Sequence, residues 1–126
     1  MQTAYIEQLN QTIRQALDDV KAQDVSFLEV EGMTSIADTI VIASGTSDRH
    51  VKSIAQNVIQ ACKDADIRPL GTEGLKEGEW VLVDLGDTIV HVMMPQVREF
   101  YNLEKLWDKS LAMRHEQSST SRSDQE

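Results

Sequence analysis

The chain has 126 residues and a formal net charge of −9, with 40% hydrophobic and 26% charged residues. This length suits one domain with a single core, and no apolar run approaches the roughly 20 residues that cross a bilayer. Proteins that bind nucleic acid through its phosphates usually carry a basic patch, so the acidic charge disfavours a nucleic-acid-binding protein. It favours a basic partner, or it only keeps the protein soluble. With a lone cysteine, Cys62, and no apolar export signal in the first twenty residues, we expect a cytoplasmic protein without a membrane segment.

The first half of the chain alternates helical and extended patterns. Apolar residues at helical spacing predict an amphipathic helix over Thr3–Ala22. β-Branched and aromatic residues predict a strand over Val25–Val30, and the continuous apolar run Asp38–Ser44 is typical of a strand covered on both faces. A second helix is expected from Ser47, its N-cap, to Ala65.

The second half is dominated by a hairpin. Two alternating runs over Trp80–Met94 meet at Gly86-Asp87, which predicts a two-residue turn, while RPLGTEG before them forms a short strand or a loop. Residues 97–111 predict a short helix or a pair of turns. The whole pattern indicates an α/β protein with a mixed sheet of about five strands and flanking helices. One domain is expected over residues 1–111, followed by a disordered acidic and polar tail over residues 112–126.

The turn position sets the register of the hairpin, which pairs Trp80 with Met93 and Leu82 with His91. Because side chains alternate across a sheet, one face is entirely aliphatic and belongs to the core. The other face is mixed and carries Trp80, Leu82, Asp84, Ile89, His91 and Met93. Two interpretations of the mixed face stay open: a surface that binds a partner, or a second core layer in which Asp84 and His91 are hydrogen-bonded internally.

Two groups of residues are weak candidates for chemistry. Asp84 and His91 lie diagonally on one face, but a His–Asp pair needs a nucleophile or a metal to become a reaction centre, and the three histidines lack zinc-ligand spacing. The SGTSDRH segment before the second helix resembles the Gly-Ser helix start of nucleotidyltransferases, yet paired carboxylates for magnesium are missing. We therefore expect no catalysis, no cofactor and no metal. A nucleotide-binding or nucleotidyltransferase-type enzyme using SGTSDRH, Asp84 and His91 is the alternative.

Four segments taken together resemble the ribosomal silencing factor S family, also called Iojap-like, over residues 5–107. They are DTIVIASGTSDRHVKSIA, PLGTEG, EWVLVDLGDTIVHVM and REFYNLEKLW. The resemblance implies a nucleotidyltransferase-like fold without its catalytic carboxylates. It also implies binding to the large ribosomal subunit through its universal protein number fourteen. Such binding would block joining of the small subunit and repress translation when nutrients run short.

The resemblance also implies where a partner binds. Two family contact positions correspond to Trp80 and Tyr101, and the hairpin register and helix pattern add Met93 and Leu103 as neighbours. Homodimers are implied too, through the same apolar surface, and a purely structural homodimer is a third interpretation. Neither membrane binding nor sequence-specific nucleic acid binding is expected.

Overall fold

The structure, a computed structural model, describes residues 2–106. Its elements are α1 (Gln2–Asp19), β1 (Gln23–Glu29), β2 (Thr39–Ser44), α2 (Asp48–Asp64), β3 (Gly71–Glu73), β4 (Trp80–Asp84), β5 (Thr88–Met93), α3 (Pro95–Tyr101) and α4 (Leu103–Leu106). The predicted helices, strands and hairpin are confirmed, RPLGTEG contains a short strand, and the segment after Pro95 forms two helices. Residues 107–111 of the last predicted element and the predicted tail over residues 112–126 lie outside the described residues.

The five strands form one mixed sheet in the order β1-β2-β5-β4-β3. Strands β2 and β5 run parallel, and the other neighbours are antiparallel. The hairpin register is confirmed, because Trp80 pairs with Met93 and Leu82 pairs with His91. Gly86 turns the chain with φ of +90°, a conformation that glycine adopts without steric cost. The α/β architecture of about five strands is therefore confirmed.

Helices α1 and α2 cover the aliphatic face of the sheet. Their buried side chains pack with those of β2, β4 and β5 into the larger core cluster, and all six residues of β2 are buried as predicted. Two buried threonines here are satisfied by the half-buried Asn10 of α1, which accepts from Thr88 Oγ1 at 2.7 Å and donates to Thr39 Oγ1 at 3.3 Å. Burial raises the pKa of the Cys62 thiol to about 11, so this cysteine stays protonated and unreactive.

The opposite, mixed face carries a second, smaller apolar cluster. Its buried members are Val30, Ala37, Ile40, Ile42, Ile89 and Met93. Side chains from the β1–β2 connection and from α3 and α4, among them Met33, Val97 and Leu103, pack partly over it. The core-layer interpretation is therefore correct for one part of this face. Trp80 and Leu82 stay half-exposed, and for them partner binding remains a prediction. Within residues 2–106, no helix is long and apolar enough to cross a membrane.

Candidate partner-binding surface

Trp80 begins β4, and a glycine in the preceding loop determines where its backbone lies. Gly74 has φ of +88°, and a Cβ at this position would overlap the carbonyl oxygen of Trp80. Across the hairpin, the Met94 N–H donates to the Glu79 carbonyl at 3.0 Å. The backbone of Trp80 is therefore held on two sides, and alternation along β4 directs its side chain to the mixed face.

The Trp80 indole lies between two other rings. Its Nε1–H donates to His91 Nδ1 at 2.9 Å, and the two ring centroids are 5.9 Å apart. On the other side, the Tyr101 ring centroid lies 4.9 Å away at an interplanar angle of 48°. Phe100 packs edge-on against Tyr101, with centroids 5.0 Å apart. These distances are in the range of favourable aromatic pairs, so the three side chains form a continuous row from β4 out to α3.

The position of Tyr101 depends on the sharp corner between α3 and α4. Helix α3 begins with Pro95, which suits the first helical position because its missing N–H would be unsatisfied there. It ends at Asn102 in the left-handed region, with φ of 50° and its N–H donating to the Arg98 carbonyl at 2.8 Å. Asparagine tolerates this conformation better than most residues. The corner brings α4 back against the sheet.

A polar cluster fastens this corner to β1 and β2. Arg98 donates to Glu104 through Nε at 3.1 Å and Nη2 at 2.8 Å, and its Nη1 donates to Ser44 Oγ at 2.9 Å. Ser26 Oγ–H donates to Glu104 Oε2 at 2.9 Å. The hydrogen bonds from Arg98, and then that from Ser26, outweigh partial burial and lower the pKa of the Glu104 carboxyl. The corner that carries Tyr101 is thus joined to the sheet by charged hydrogen bonds as well as by apolar contacts.

The exposure of these side chains separates those that a partner can contact from those that mainly pack beneath them. Phe100 is 80% exposed and Tyr101 is 54% exposed, although both are large and apolar in part. Trp80 and Leu103 are half-buried. Trp80, Tyr101, Phe100 and Leu103 are called the aromatic surface below.

The expectation that Met93 contributes directly to this surface is corrected by the structure. Its side chain is 0% exposed and belongs to the smaller core cluster. Met93 lies directly opposite Trp80 in the hairpin, where the connection after β1 and the helices after β5 cover its end of the sheet. Met93 therefore packs beneath the surface beside Trp80 and exposes no area that a partner could contact.

Asp84 and His91, the candidate catalytic pair, have separate hydrogen-bond partners. His91 accepts from Trp80, whereas Asp84 Oδ1 accepts from the Gly86 N–H at 2.9 Å and so stabilises the hairpin turn. Among the residues that the structure describes, no group of three or more His, Cys, Asp and Glu side chains could hold a metal ion. The observed roles of these two side chains are therefore a His–Trp contact and a hairpin turn.

Backbone amides of the SGTSDRH segment donate to side chains of the same segment. The Thr46 N–H donates to His50 Nδ1 at 2.9 Å, and the His50 N–H donates to Ser47 Oγ at 3.1 Å, which confirms Ser47 as the N-cap of α2. A Cβ on Gly45 would lie 2.9 Å from the Val51 nitrogen, so the glycine permits close packing of the loop on the helix. The Thr46 and His50 amides are thus used within the helix start, and the nucleotide-binding alternative stays an untested prediction.

Comparison with known proteins gives a family for this fold and surface. A family model described as "Ribosomal silencing factor during starvation" matches residues 3–126. The chain belongs to the ribosomal silencing factor family. This membership confirms the resemblance found in the sequence.

Individual proteins similar to this chain include a bacterial ribosomal silencing factor matched over most of its length and a longer mouse protein matched over a part. The protein named ribosomal silencing factor RsfS in Chromobacterium violaceum is 41% identical over 102 residues, which are 81% of this chain and 84% of that protein. A crystal structure of a protein from the same organism superimposes with a TM-score of 0.80 at 41% identity, covering 81% of this chain and 85% of that one. A Mus musculus protein named mitochondrial assembly of ribosomal large subunit protein 1 is 35% identical over 89 residues, which are 68% of this chain and 39% of that protein.

The structure adds functional candidates that sequence reasoning missed. Phe100 extends the aromatic surface, and its sequence signal was its position directly beside Tyr101 on a short helix. The Arg98 cluster gave no such signal, because Arg98 and Ser44 are 54 residues apart and Ser26 and Glu104 are 78 apart. Only the folded corner between α3 and α4 brings them together.

Proposed function

We propose that the chain represses translation by binding the large ribosomal subunit through the aromatic surface, so that its bulk blocks joining of the small subunit. The contact on the ribosome would be the universal large-subunit protein number fourteen. The observation that carries the proposal is the row of Trp80, Tyr101 and Phe100, in which a half-buried indole supports two strongly exposed rings. Family membership supports it, as does the mouse relative whose name refers to the large subunit.

The energetics of such a surface suit a protein partner. Tryptophan and tyrosine are enriched among the residues whose truncation costs most binding energy, and they anchor best where surrounding contacts exclude water. Here the Trp80 indole already contacts His91 and Tyr101, so little side-chain freedom remains to be lost on binding. Leu103 beside the corner adds apolar contact area at the edge of the row.

Charge supports a basic partner. The net charge is −9, and two exposed glutamates are sequence neighbours of the aromatic surface, Glu79 of Trp80 and Glu99 of Phe100. Complementary potentials raise the association rate more than the final affinity. A basic ribosomal protein would therefore be approached faster than bare RNA, whose phosphates the acidic surface repels. Since the partner is the ribosome, the chain would act in the cytoplasm.

Steric blocking needs no covalent step and no cofactor. The bound domain would occupy space that the small subunit requires, so repression would depend on the lifetime of the complex. Binding therefore has to be strong enough to persist while free small subunits compete for the same face.

Homodimerisation is a second candidate because Phe100 and Leu106 are strongly exposed on the same two short helices. Exposed apolar patches often mark interaction sites, and a second copy of the chain would cover this one. A dimer built on Tyr101 would hide the ribosome-binding residues. Dimerisation and large-subunit binding would then compete, and dilution would favour the ribosome-bound form.

The proposal is tested by sedimenting the purified chain with separated ribosomal subunits. We expect it to pellet with large subunits and not with small ones, and binding should weaken as salt rises because part of the attraction is electrostatic. Large subunits incubated first with the chain should form fewer joined ribosomes when small subunits are added. Equal pelleting with both subunits, or undiminished joining at saturating chain, would refute the proposal.

A further inference from the structure

We infer that His91 is a positioning residue for the Trp80 anchor: by accepting the indole N–H hydrogen bond, it holds the ring in one orientation before a partner arrives. This inference rests on the proposed function for its consequence in binding. The hydrogen bond itself is a property of the free protein. It links two residues on neighbouring strands, one half-exposed toward a partner and one set deeper in the sheet.

The hairpin geometry explains why this contact forms. His91 lies directly opposite Leu82 on β4 and opposite Ile42 on β2, so its ring stands on the mixed face between two apolar neighbours. Trp80 is one of its two diagonal neighbours on β4, at a separation that aromatic side chains can span. The observed distance between Trp80 Nε1 and His91 Nδ1 is 2.9 Å, which is an ordinary hydrogen-bond length.

The chemistry of the two rings determines the state of the histidine. The indole N–H is only a donor, so His91 Nδ1 must be an unprotonated acceptor and the ring proton must reside on Nε2. Burial favours this neutral form, because it lowers the pKa of His91 to about 4. At neutral pH His91 is therefore present as the tautomer that can hold Trp80.

Positioning matters because Trp80 has neighbours on both sides. Tyr101 packs on the indole with centroids 4.9 Å apart, and this packing needs the indole plane to be fixed. If the hydrogen bond were lost, the ring could rotate about its side-chain bonds and the row of Trp80, Tyr101 and Phe100 would lose its alignment. Binding would then have to order these side chains again, which lowers affinity.

The experiment compares two substitutions that differ in where they place an acceptor. Asparagine in His91→Asn carries its oxygen near the position of Nδ1, whereas glutamine in His91→Gln carries its oxygen near the position of Nε2. The Trp80 indole N–H resonance is followed by NMR in the free proteins, with Trp107→Phe as the background that leaves a single tryptophan. Affinity for isolated large subunits is measured on the same proteins, and melting curves confirm that each is folded.

We expect His91→Asn to keep a downfield, slowly exchanging indole signal and parental affinity. We expect His91→Gln to shift the signal upfield, speed its exchange and weaken binding by about tenfold, the effect of losing one such hydrogen bond from an anchor. Trp80→Phe, which keeps an aromatic ring but lacks the donor, should weaken binding similarly. Parental affinity in both His91→Gln and Trp80→Phe would overturn the inference. If the parent protein itself fails to bind large subunits, the proposed function fails separately, and the indole signal still decides whether His91 holds Trp80.

Discussion

Arg98 and Glu104 form a two-pronged ion pair across the corner between α3 and α4, with N–O distances of 3.1 and 2.8 Å. The pair also contacts Ser44 and Ser26 on the sheet. Because Tyr101 lies within this corner and packs on Trp80, the ion pair connects the stability of a peripheral segment to the geometry of the aromatic surface. Stability and binding should therefore respond together when the pair is broken.

Replacing Arg98 by methionine should reveal that connection. Arg98→Met keeps the length of the side chain but leaves Glu104 and the buried Ser44 without their partner, which should lower the free energy of unfolding by about 1–3 kcal/mol. Urea unfolding measures this change. Arg49→Met, which alters an exposed arginine of α2, is the matched control and should stay within about 0.5 kcal/mol of the parent. Equal effects of the two substitutions would show that the ion pair does not hold the corner.

Gly74 should tolerate alanine much less well than another glycine of the same conformation. Gly74 and Gly32 have φ of +88° and +87°, but a Cβ on Gly74 would overlap the Trp80 carbonyl, whereas Gly32 has nothing within 4 Å. Gly32→Ala should cost about 1 kcal/mol for the backbone conformation alone. Gly74→Ala should cost about 1–3 kcal/mol more because the loop must shift. Thermal unfolding of both variants tests this, and equal costs would mean that the loop adapts without strain.

The stability of the protein should fall on acidification partly because of His91. Its folded-state pKa of about 4 lies below the value of about 6.5 in the unfolded chain, so the neutral form stabilises the fold. This contribution is present above pH 6.5 and is lost as pH falls from there to about 4. It amounts to at most about 3.5 kcal/mol, since the folded and unfolded pKa values differ by about 2.5 and one pKa unit corresponds to about 1.4 kcal/mol.

His91→Asn isolates that contribution, because it has no titrating ring. Glu104, whose pKa is lowered mainly by Arg98, also loses its stabilising charge as pH falls, but it does so in both proteins and cancels in the difference. The stability of the parent relative to His91→Asn, measured by urea unfolding, should therefore decrease between pH 7 and pH 4. A difference that stays constant over this range would show that His91 is not held neutral by the fold.

The fold could be predicted from the sequence because its strongest signals are local. The apolar run of β2 and the turn at Gly86-Asp87 define a buried strand and a hairpin register, and both are confirmed. The family match itself was visible in four short segments. Side-chain alternation was also enough to separate the aliphatic face from the mixed face.

The site could be predicted only in part. Which side chains are buried under other segments, and which diagonal pairs across the hairpin make contact, depends on the folded chain. Met93 was expected at the surface but is buried, since alternation tells which face a side chain is on and not what later covers that face. His91 has two diagonal neighbours, Trp80 and Asp84, and nothing in the sequence chooses between them. In the folded protein Asp84 is used by the turn at Gly86, and His91 pairs with Trp80.

The central claim, that the aromatic surface binds the large ribosomal subunit, is tested most directly by the affinity of Tyr101→Ala for isolated large subunits. Tyr101 is 54% exposed, so its removal should leave the melting temperature within a few degrees of the parent while weakening binding by about 2 kcal/mol or more. Trp80→Ala should weaken binding at least as much, with a larger loss of stability because the indole is half-buried. Tyr5→Ala, which removes an exposed tyrosine of α1, is the control and should bind as the parent does. A folded Tyr101→Ala protein that binds large subunits as tightly as Tyr5→Ala would contradict the account.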